Sequence, residues 1–172
     1  VLGSDSVVTA NLGGKMLWFW GDTNLGHYPL GIFNVSAAST EKFVPPSKPP
    51  LRPPYAYVSD RRTPPAESRP RGVAKVPGDG PTWIWGAITL PDAQGTPHLV
   101  ASAVKTKGEM HAYRWDLVEW DPHEELFHPL DTIWTEDPAR PKAPPVPNGH
   151  AVPWTDPVGR QWILFCNPFP TL

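Results

Sequence analysis

Proline, at 25 of 172 residues, constrains this chain more than any other sequence feature. Each proline removes a backbone amide donor, so it breaks an α-helix and does not fit a central β-strand. No segment of about ten residues is both free of proline and glycine and periodic in the manner of a helix. Short apolar runs, which hold many of the nine tryptophans, lie between the prolines. The sequence therefore predicts an all-β protein with short strands and long, stiff loops.

The run from Met16 to Thr23 predicts a strand that is apolar on both faces. Because side chains alternate along a strand, Trp18 and Trp20 point to one side and Leu17 to the other. A strand of this kind must be covered on both sides. Asp22 follows at once, so we expect a carboxylate at the end of the sheet, a common place for binding groups.

The predicted strands form three groups along the chain. The first group comprises residues 6–12, 15–21, 31–36 and 55–58, the second comprises 82–90, 98–105, 110–120 and 126–134, and the third comprises 151–154 and 161–167. Their starts give a period of about 70 residues, longer than the roughly 40 to 50 of a simple propeller repeat, because loops such as 44–80 are long. Consecutive four-stranded antiparallel groups are typical of a β-propeller and are explained less well by a sandwich.

A single partial domain over residues 1–172 follows from this grouping. Blade 1 is expected at about 1–80, blade 2 at about 81–148, and the start of blade 3 at about 149–172. About two and a half blades cannot close a ring, so the sequence is expected to be a truncated propeller. In the strand 110–120, we expect Trp115 and Leu117 to form an apolar face opposite a half-wetted face with Arg114 and Asp116.

Charge and motifs exclude several classes of function. The 15 basic and 17 acidic residues nearly balance, which argues against nucleic acid or an anionic membrane as a partner. No run of about 18 apolar residues could span a bilayer. The histidines lack zinc-site spacing and no phosphate-binding loop is present, so neither a metal nor a cofactor is expected. Cys166 lies in an apolar run typical of a core thiol.

The residues from Leu17 to Thr23, together with Asn34 and Ser36, resemble the opening blade of an uncharacterised family of five-bladed propeller proteins. In that family an aromatic-rich strand ends in Phe-Gly-Asp-Thr, and a later strand carries an Asn-Ser pair. Here Trp20 replaces the phenylalanine and Val35 separates Asn34 from Ser36. The family is similar to five-bladed glycoside hydrolases of the arabinanase, xylosidase and fructan-hydrolase type. The motif-level resemblance covers about residues 5 to 38.

This resemblance implies a site with three carboxylates at the inner ends of successive blades. Asp5 matches the base or nucleophile on the first blade, and Asp22 is a candidate tuning or substrate-binding carboxylate. No acid lies on the strand 82–90 or on the strand after Gly149, although Asp79 precedes the former. Glu136 or Asp137 could approach only through a loop. The catalytic set is incomplete in this sequence, which fits a truncated enzyme or a protein that is not an enzyme.

Strand pairing supports the proximity of Asp5 and Asp22 independently. Asp5 precedes one strand and Asp22 ends its hairpin neighbour across Gly13-Gly14, so antiparallel pairing brings both to one end. Glycoside hydrolysis requires two carboxyl groups in such proximity. The alternative is that Asp22 caps a turn.

Three further residues are candidate substrate contacts. His150 opens the third group, where a neutral imidazole could bind a hydroxyl or move a proton; a structural role is the alternative. Trp83 could stack on a sugar ring, whereas the other tryptophans of the Trp-x-Trp pairs are expected to pack between blades. Arg61 could contact a sugar acid or sulfate, although it lies in a loop where solvated charge is common.

The sequence therefore predicts a glycan-acting protein, a glycosidase-like hydrolase or, alternatively, a propeller that binds carbohydrate or protein without catalysis. A secreted or periplasmic location is expected. No leader is visible before Val1, which leaves a signal peptide absent, removed or not included. The sequence gives no indication of oligomeric state.

Overall fold

A computed structural model describes residues 1–28, 30–41, 53–60, 69–146 and 149–165. These residues form β-strands and no helix, which confirms the all-β prediction. The strands are β1 (Gly3–Ser4), β2 (Val8–Leu12), β3 (Lys15–Trp20), β4 (Thr23–Asn24), β5 (Gly31–Ile32), β6 (Ser36–Glu41), β7 (Ala56–Tyr57), β8 (Thr82–Pro91), β9 (Pro97–Lys107), β10 (His111–Asp121), β11 (Leu126–Thr135), β12 (Ala151–Thr155) and β13 (Gln161–Phe165).

The first sheet has the order β2-β3-β6-β7, and every neighbouring pair is antiparallel. Gly13 and Gly14 join β2 to β3 with φ angles of 59° and 79°, which glycine adopts without the clash that a Cβ would cause. Between β3 and β6 the chain forms β4 and β5, which pair with the N-terminal β1 in a small three-stranded sheet, β1-β4-β5, at one end of the first sheet.

The second sheet is a meander in which β8, β9, β10 and β11 follow one another in space as they do in sequence. A third sheet contains β12 and β13 alone among the described residues. The first strands of the three sheets are neighbours, because β2 lies against β8 and β8 lies against β12. The three groups of strands predicted from the sequence therefore correspond to three successive antiparallel sheets.

The same turn closes the first hairpin of the second and third sheets. Oδ1 of Asp92 accepts hydrogen bonds from the amides two and four residues later, and Oδ1 of Asp156 does the same. Gly95 and Gly159 lie three residues after each aspartate, with φ angles of 86° and 85°. The first hairpins of the two sheets thus have the same turn conformation, stabilised by the same aspartate hydrogen bonds.

The hydrophobic core lies between the first and second sheets. Phe19 of β3, Trp120 of β10 and Phe127 of β11 meet there with ring centroids 5.0–5.2 Å apart. Small residues on the facing strands, such as Ala37 and Ala101, let the two sheets approach closely. The faces of β3 divide as predicted, with Leu17 and Phe19 on the core side.

A buried connection between these sheets runs through Val73. Its amide donates to the carbonyl of Val35 at 2.8 Å, and its carbonyl accepts from the amide of Phe127 at 2.7 Å. Val73 and Val35 are fully buried. The segment therefore bridges the first sheet to the outer strand of the second through main-chain hydrogen bonds.

The predicted strand at 31–36 is wrong in its bounds. Gly31–Ile32 belongs to the small sheet, and the third strand of the first sheet is Ser36–Glu41. Asn34 separates them, since its side chain accepts from the amide of Val35 at 2.8 Å and donates to the carbonyl of Ala74 at 3.3 Å. The strand escapes prediction because small and polar side chains carry little hydrophobic signal, although Ser36 and Thr40 are buried.

The prediction that Arg114 and Asp116 lie on a partly solvent-exposed face of β10 is also wrong. Asp116 is fully buried on the same face as the core residues Val118 and Trp120, whereas Trp115 and Leu117 are half-buried on the opposite face. Arg114 donates three hydrogen bonds of 2.7–3.0 Å to the carboxylate of Asp116, and the hydroxyl of Thr132 donates another of 2.8 Å. The charge is buried because it is fully paired.

Candidate functional site

Asp5 and Asp22 lie together at one end of the first sheet. The amide of Asp22 donates to Asp5 Oδ1 at 2.9 Å, and the amide of Asp5 donates to the carbonyl of Asp22 at 3.0 Å. A Cβ at Gly21 would collide with the Asp5 carboxylate, so the glycine before Asp22 is required for this approach. The pairing of β2 with β3 brings the two residues together as expected, whereas their catalytic roles stay a prediction.

Trp83 reaches this pair from the second sheet. Its indole Nε1 donates to Asp22 Oδ1 at 3.0 Å, across 61 residues of sequence. The amide of Val35 donates to the carbonyl of Thr82 at 3.2 Å, which fixes the start of β8 against the first sheet. Trp83 is half-buried and packs against the core. Three of the five predicted site residues are therefore joined directly by hydrogen bonds.

Buried hydroxyl groups support the turn that carries Asp22. The hydroxyls of Thr23 and Ser36 are 2.7 Å apart, and that of Ser4 lies 3.1 Å from Thr23 Oγ1. Thr23 and Ser36 are each 1% exposed. Sequence reasoning missed this cluster, although the Gly-Asp-Thr run already places a small hydroxyl residue next to the carboxylate.

A buried lysine holds the loop that leads into β8. Nζ of Lys105 donates to the carbonyls of Val76 and Gly80 at 3.2 and 2.8 Å and to Thr82 Oγ1 at 3.3 Å. Burial lowers the pKa of Lys105, since none of these acceptors is charged. Its only sequence signal is position, because residue 105 follows directly on the mostly apolar run 99–104, and residues 101–106 of β9 are all buried.

Asp79 lies in the same loop, just before β8. The hydroxyl of Tyr113 donates to the carbonyl of Asp79 at 2.7 Å, so the loop is held from both sides. A Cβ at Gly80 would collide with the backbone carbonyl of Thr106, which explains the glycine there. The carboxyl group predicted to precede the inner strand of blade 2 is therefore carried on a well-anchored loop.

Glu136, considered from the sequence as an approaching acid, is engaged elsewhere. Its carboxylate contacts His111 Nε2 at 2.7 Å and Lys107 Nζ at 3.4 Å. The hydrogen bond from His111 lowers the pKa of Glu136, whereas a general acid requires a raised pKa. Asp137 accepts from the amides of Ala139 and Arg140 in a local turn. Both observations disfavour these residues as the missing acid.

Within the described residues, His150 forms no hydrogen bond to Asp5 or Asp22. The amide of Gly149 donates to the carbonyl of Trp85 at 2.8 Å, which places His150 beside β8 at the start of β12. His150 is exposed, and its imidazole has no hydrogen bond to any residue that the structure describes. Arg61 lies outside the described residues.

The other three tryptophans of the Trp-x-Trp pairs do not pack between two sheets of the described structure as expected. Trp18 and Trp20 stack with centroids 6.5 Å apart, on the face of the first sheet away from the second, with Tyr55 and Tyr57 against them. A register irregularity between residues 84 and 86 interrupts β8. Trp85 there is 48% exposed and contacts Trp115, so the expectation of burial is wrong for it.

This end of the sheets combines two carboxyl groups and an indole ring. Asp5 Oδ1 is occupied by the amide of Asp22, and Asp22 Oδ1 by the indole of Trp83, so each carboxyl group keeps one oxygen that makes no hydrogen bond within the described residues. Such groups can accept hydrogen bonds from hydroxyls, and the indole ring offers an apolar face beside them. This combination suits a polyhydroxylated ligand.

Comparison with known proteins gives no match to any family model, to any curated protein or to any solved structure. Within the described part of the chain, no helix is long and apolar enough to cross a membrane.

Proposed function

We propose that this chain is part of a β-propeller that acts on glycans at the end of the sheets where Asp5, Asp22 and Trp83 meet. Two four-stranded antiparallel sheets in sequence, with neighbouring first strands, support the propeller. The shared turn at Asp92 and Asp156 supports it further, since it marks corresponding hairpins in successive sheets.

The observation that carries the glycan assignment is the hydrogen bond from Trp83 to Asp22. It couples an indole ring on one sheet to a carboxylate on the next, so that apolar and polar groups are held side by side. Sugar rings have apolar faces and hydroxyl edges, and a carboxylate beside an aromatic ring complements both.

Glycoside hydrolysis is the reaction that this pair of carboxyl groups would serve. Asp5, the more exposed, would act as base or nucleophile, and Asp22, held by Trp83 and by the turn, would bind substrate hydroxyls and adjust the charge around Asp5. Asp79, which precedes β8, is the candidate within this chain for the proton donor.

Binding without catalysis is the second candidate function. It is favoured by the engagement of Glu136 with His111, which lowers the pKa of that carboxyl group and so disfavours it as a general acid. The same indole and carboxylate groups would then hold a glycan without cleaving it.

A panel of arabino-, xylo- and fructo-oligosaccharides tests this proposal through both binding and release of reducing sugar. We expect a ligand from the panel to bind the parent protein and Asp22→Asn to weaken that binding at least tenfold, because a hydroxyl would lose a charged acceptor. Asp5→Asn should abolish turnover while leaving binding measurable.

Trp83→Phe keeps an aromatic ring but removes the indole donor, and Trp154→Phe on the exposed β12 is its matched control. We expect weaker binding only in Trp83→Phe. Binding without turnover in the parent protein would leave the non-catalytic function, and absence of binding to the whole panel would contradict both.

A further inference from the structure

The turn between β10 and β11 gathers three side chains with metal-ligating atoms. Asp121, Glu124 and His128 each offer one ligand atom, and these atoms all lie within 4.8 Å of one another. They are far in sequence from the carboxylate pair described above. Neither a helix nor a His-x-x-x-His motif is involved, which is why the sequence predicts no metal here.

The fold holds these three residues close together before any ion binds. Oδ1 of Asp121, the last residue of β10, accepts from the amides of His123 and Glu124 at 2.7 and 3.1 Å. This leaves Oδ2 of Asp121 without a hydrogen bond inside the turn. Glu125 has a φ angle of 54°, which turns the chain back so that β11 begins at Leu126 and carries His128 beside Glu124.

The spacing of the imidazole and the glutamate suits a shared ion. His128 Nε2 lies 3.0 Å from Glu124 Oε2. Two ligands at about 2.0–2.1 Å from a tetrahedral zinc ion are about 3.3 Å apart. An ion can therefore replace this hydrogen bond with a movement of only a few tenths of an ångström between the two side chains.

The charges around the turn also favour a cation. In the described part of the chain, no lysine or arginine forms an ion pair with Asp121 or Glu124. The nearby guanidinium of Arg71 donates to the backbone carbonyls of Glu124 and Glu125 instead, at 2.7 and 3.2 Å. Apart from the imidazole of His128, itself a candidate ligand, no cationic side chain of the described residues forms an ion pair with these two carboxylates, so a metal ion would supply the counter-charge.

The site is open to solvent and borders a cleft. Side chains of His128 and Glu124 are 47% and 60% exposed. Asp121 and His128 line a cleft of about 790 Å³, whose other polar residues include His98 and Glu119. An ion can therefore enter directly, and water can complete its coordination.

We propose that Asp121, Glu124 and His128 bind one divalent transition-metal ion of the zinc class. One imidazole nitrogen and two carboxylate oxygens are donors that such ions accept, and three protein ligands leave a fourth position for water. A hard cation such as Ca²⁺ would gain little from the imidazole, because it prefers six to eight oxygen ligands.

Titration calorimetry of the whole chain with Zn²⁺, and separately with Ca²⁺, tests the proposal. We expect one equivalent of Zn²⁺ to bind, and His128→Ala and Glu124→Gln each to weaken binding at least about tenfold. His111→Ala is the matched control, since His111 contacts Glu136 at 2.7 Å in a similar exposed pair without a third ligand.

Thermal unfolding without metal checks that the variants fold, and Glu124→Gln, an exposed turn residue, should retain the parent Tm. Absence of saturable Zn²⁺ binding would overturn the proposal. Equal loss in His111→Ala would also overturn it, as would Ca²⁺ binding that is tighter than Zn²⁺ binding and indifferent to His128→Ala.

Discussion

Asp116 shows how a charged side chain is buried in this chain without losing its hydrogen-bond partners. Its carboxylate accepts hydrogen bonds from Arg114 and Thr132, so both of its oxygens have a donor. The sequence suggests the reverse orientation, because an Arg-x-Asp pair on an alternating strand normally faces water. The buried carboxylate also needs the hydroxyl of Thr132 on β11, and pairing between strands is not visible in local alternation.

Replacement of Asp116 by Asn should be among the most destabilising single changes in the second sheet. It leaves the guanidinium of Arg114 without its counter-charge, and loss of one partner of a buried pair costs about 3–5 kcal/mol. Urea unfolding measures the difference. Asp131→Asn, an exposed aspartate on β11, is the control and should change stability by less than about 0.5 kcal/mol. Equal effects in the two variants would contradict the burial of Asp116.

His98 should make stability depend on pH. Hydrogen bonds to Glu119 and then to Asp92 raise the pKa of His98 above its usual 6.5. The resulting stabilisation is fully present below about pH 6.5 and is lost as the pH rises through the folded-state pKa. We therefore expect Glu119→Gln to destabilise the protein more at about pH 5.5 than at about pH 9. Unfolding of parent and variant at both pH values checks this.

Glu109→Gln, in the exposed turn before β10, is the control for that comparison. Its effect should not change between the two pH values. A Glu119→Gln effect that is constant with pH, or larger at high pH, would show that the imidazole does not act through Glu119.

The candidate site is predictable only where both partners share one hairpin. Asp5 and Asp22 belong to neighbouring strands joined by Gly13-Gly14, so pairing alone places them together. The contact between Asp22 and Trp83 joins two sheets: the sequence singles out Trp83 as a substrate contact, but nothing in the local pattern of β8 pairs its indole with Asp22. The metal-binding proposal depends on a turn whose spacing matches no short motif.

Among the elements, hairpins with a dedicated turn residue are the most predictable. The turns at Pro91 to Thr96 and Asp156 to Gly159 are evident from their aspartate and glycine residues, which are typical of turns. The strands β8 to β11 lie close to the predicted ranges. The strand β6 begins about five residues later than predicted, because its alanines and serines carry no strong apolar alternation. Its burial depends on the second sheet, which lies far away in sequence.

Gly95 should be needed for its backbone conformation alone. Its φ angle is 86° and a Cβ at this position would meet nothing within 4 Å, so Gly95→Ala adds strain without a clash. We expect a loss of about 1–2 kcal/mol in the free energy of unfolding. Gly3→Ala is the matched control, because that Cβ also meets nothing within 4 Å and the φ angle of Gly3 is not positive. Equal stability of the two variants would contradict the strain argument.

At the scale of the whole molecule, stability depends on the contact between the first and second sheets. The sequence indicates this because β3 is apolar on both faces, but it does not say which face meets which sheet. Leu17 and Phe19 lie in the core, whereas Trp18 and Trp20 pack with tyrosines of their own sheet. On β3 the two indole rings thus lie outside the main core and the smaller side chains of Leu17 and Phe19 lie within it, an outcome that residue size alone would not suggest.

Phe19→Ala should destabilise both sheets together. The ring is 1% exposed and contacts Trp120 and Phe127 of the second sheet, so its removal leaves a cavity that costs about 3–5 kcal/mol. Phe33→Ala, where the ring is 71% exposed, should change stability by less than about 0.5 kcal/mol. Fluorescence and far-UV circular dichroism should follow the same unfolding curve in Phe19→Ala, and separate transitions would argue against a shared core.

The hydrogen bonds of Val73 to Val35 and Phe127 have a consequence for how such a chain could change during evolution. A connection that only spans the distance between two repeats can lengthen, shorten or be exchanged freely. This one completes the backbone pairing of both neighbours, so duplication or recombination of a single sheet would have to carry residues 69–76 with it or leave amides and carbonyls without partners. A segment that is duplicated or recombined as a unit would therefore have to include residues 69–76, and its boundary would not fall between the two sheets.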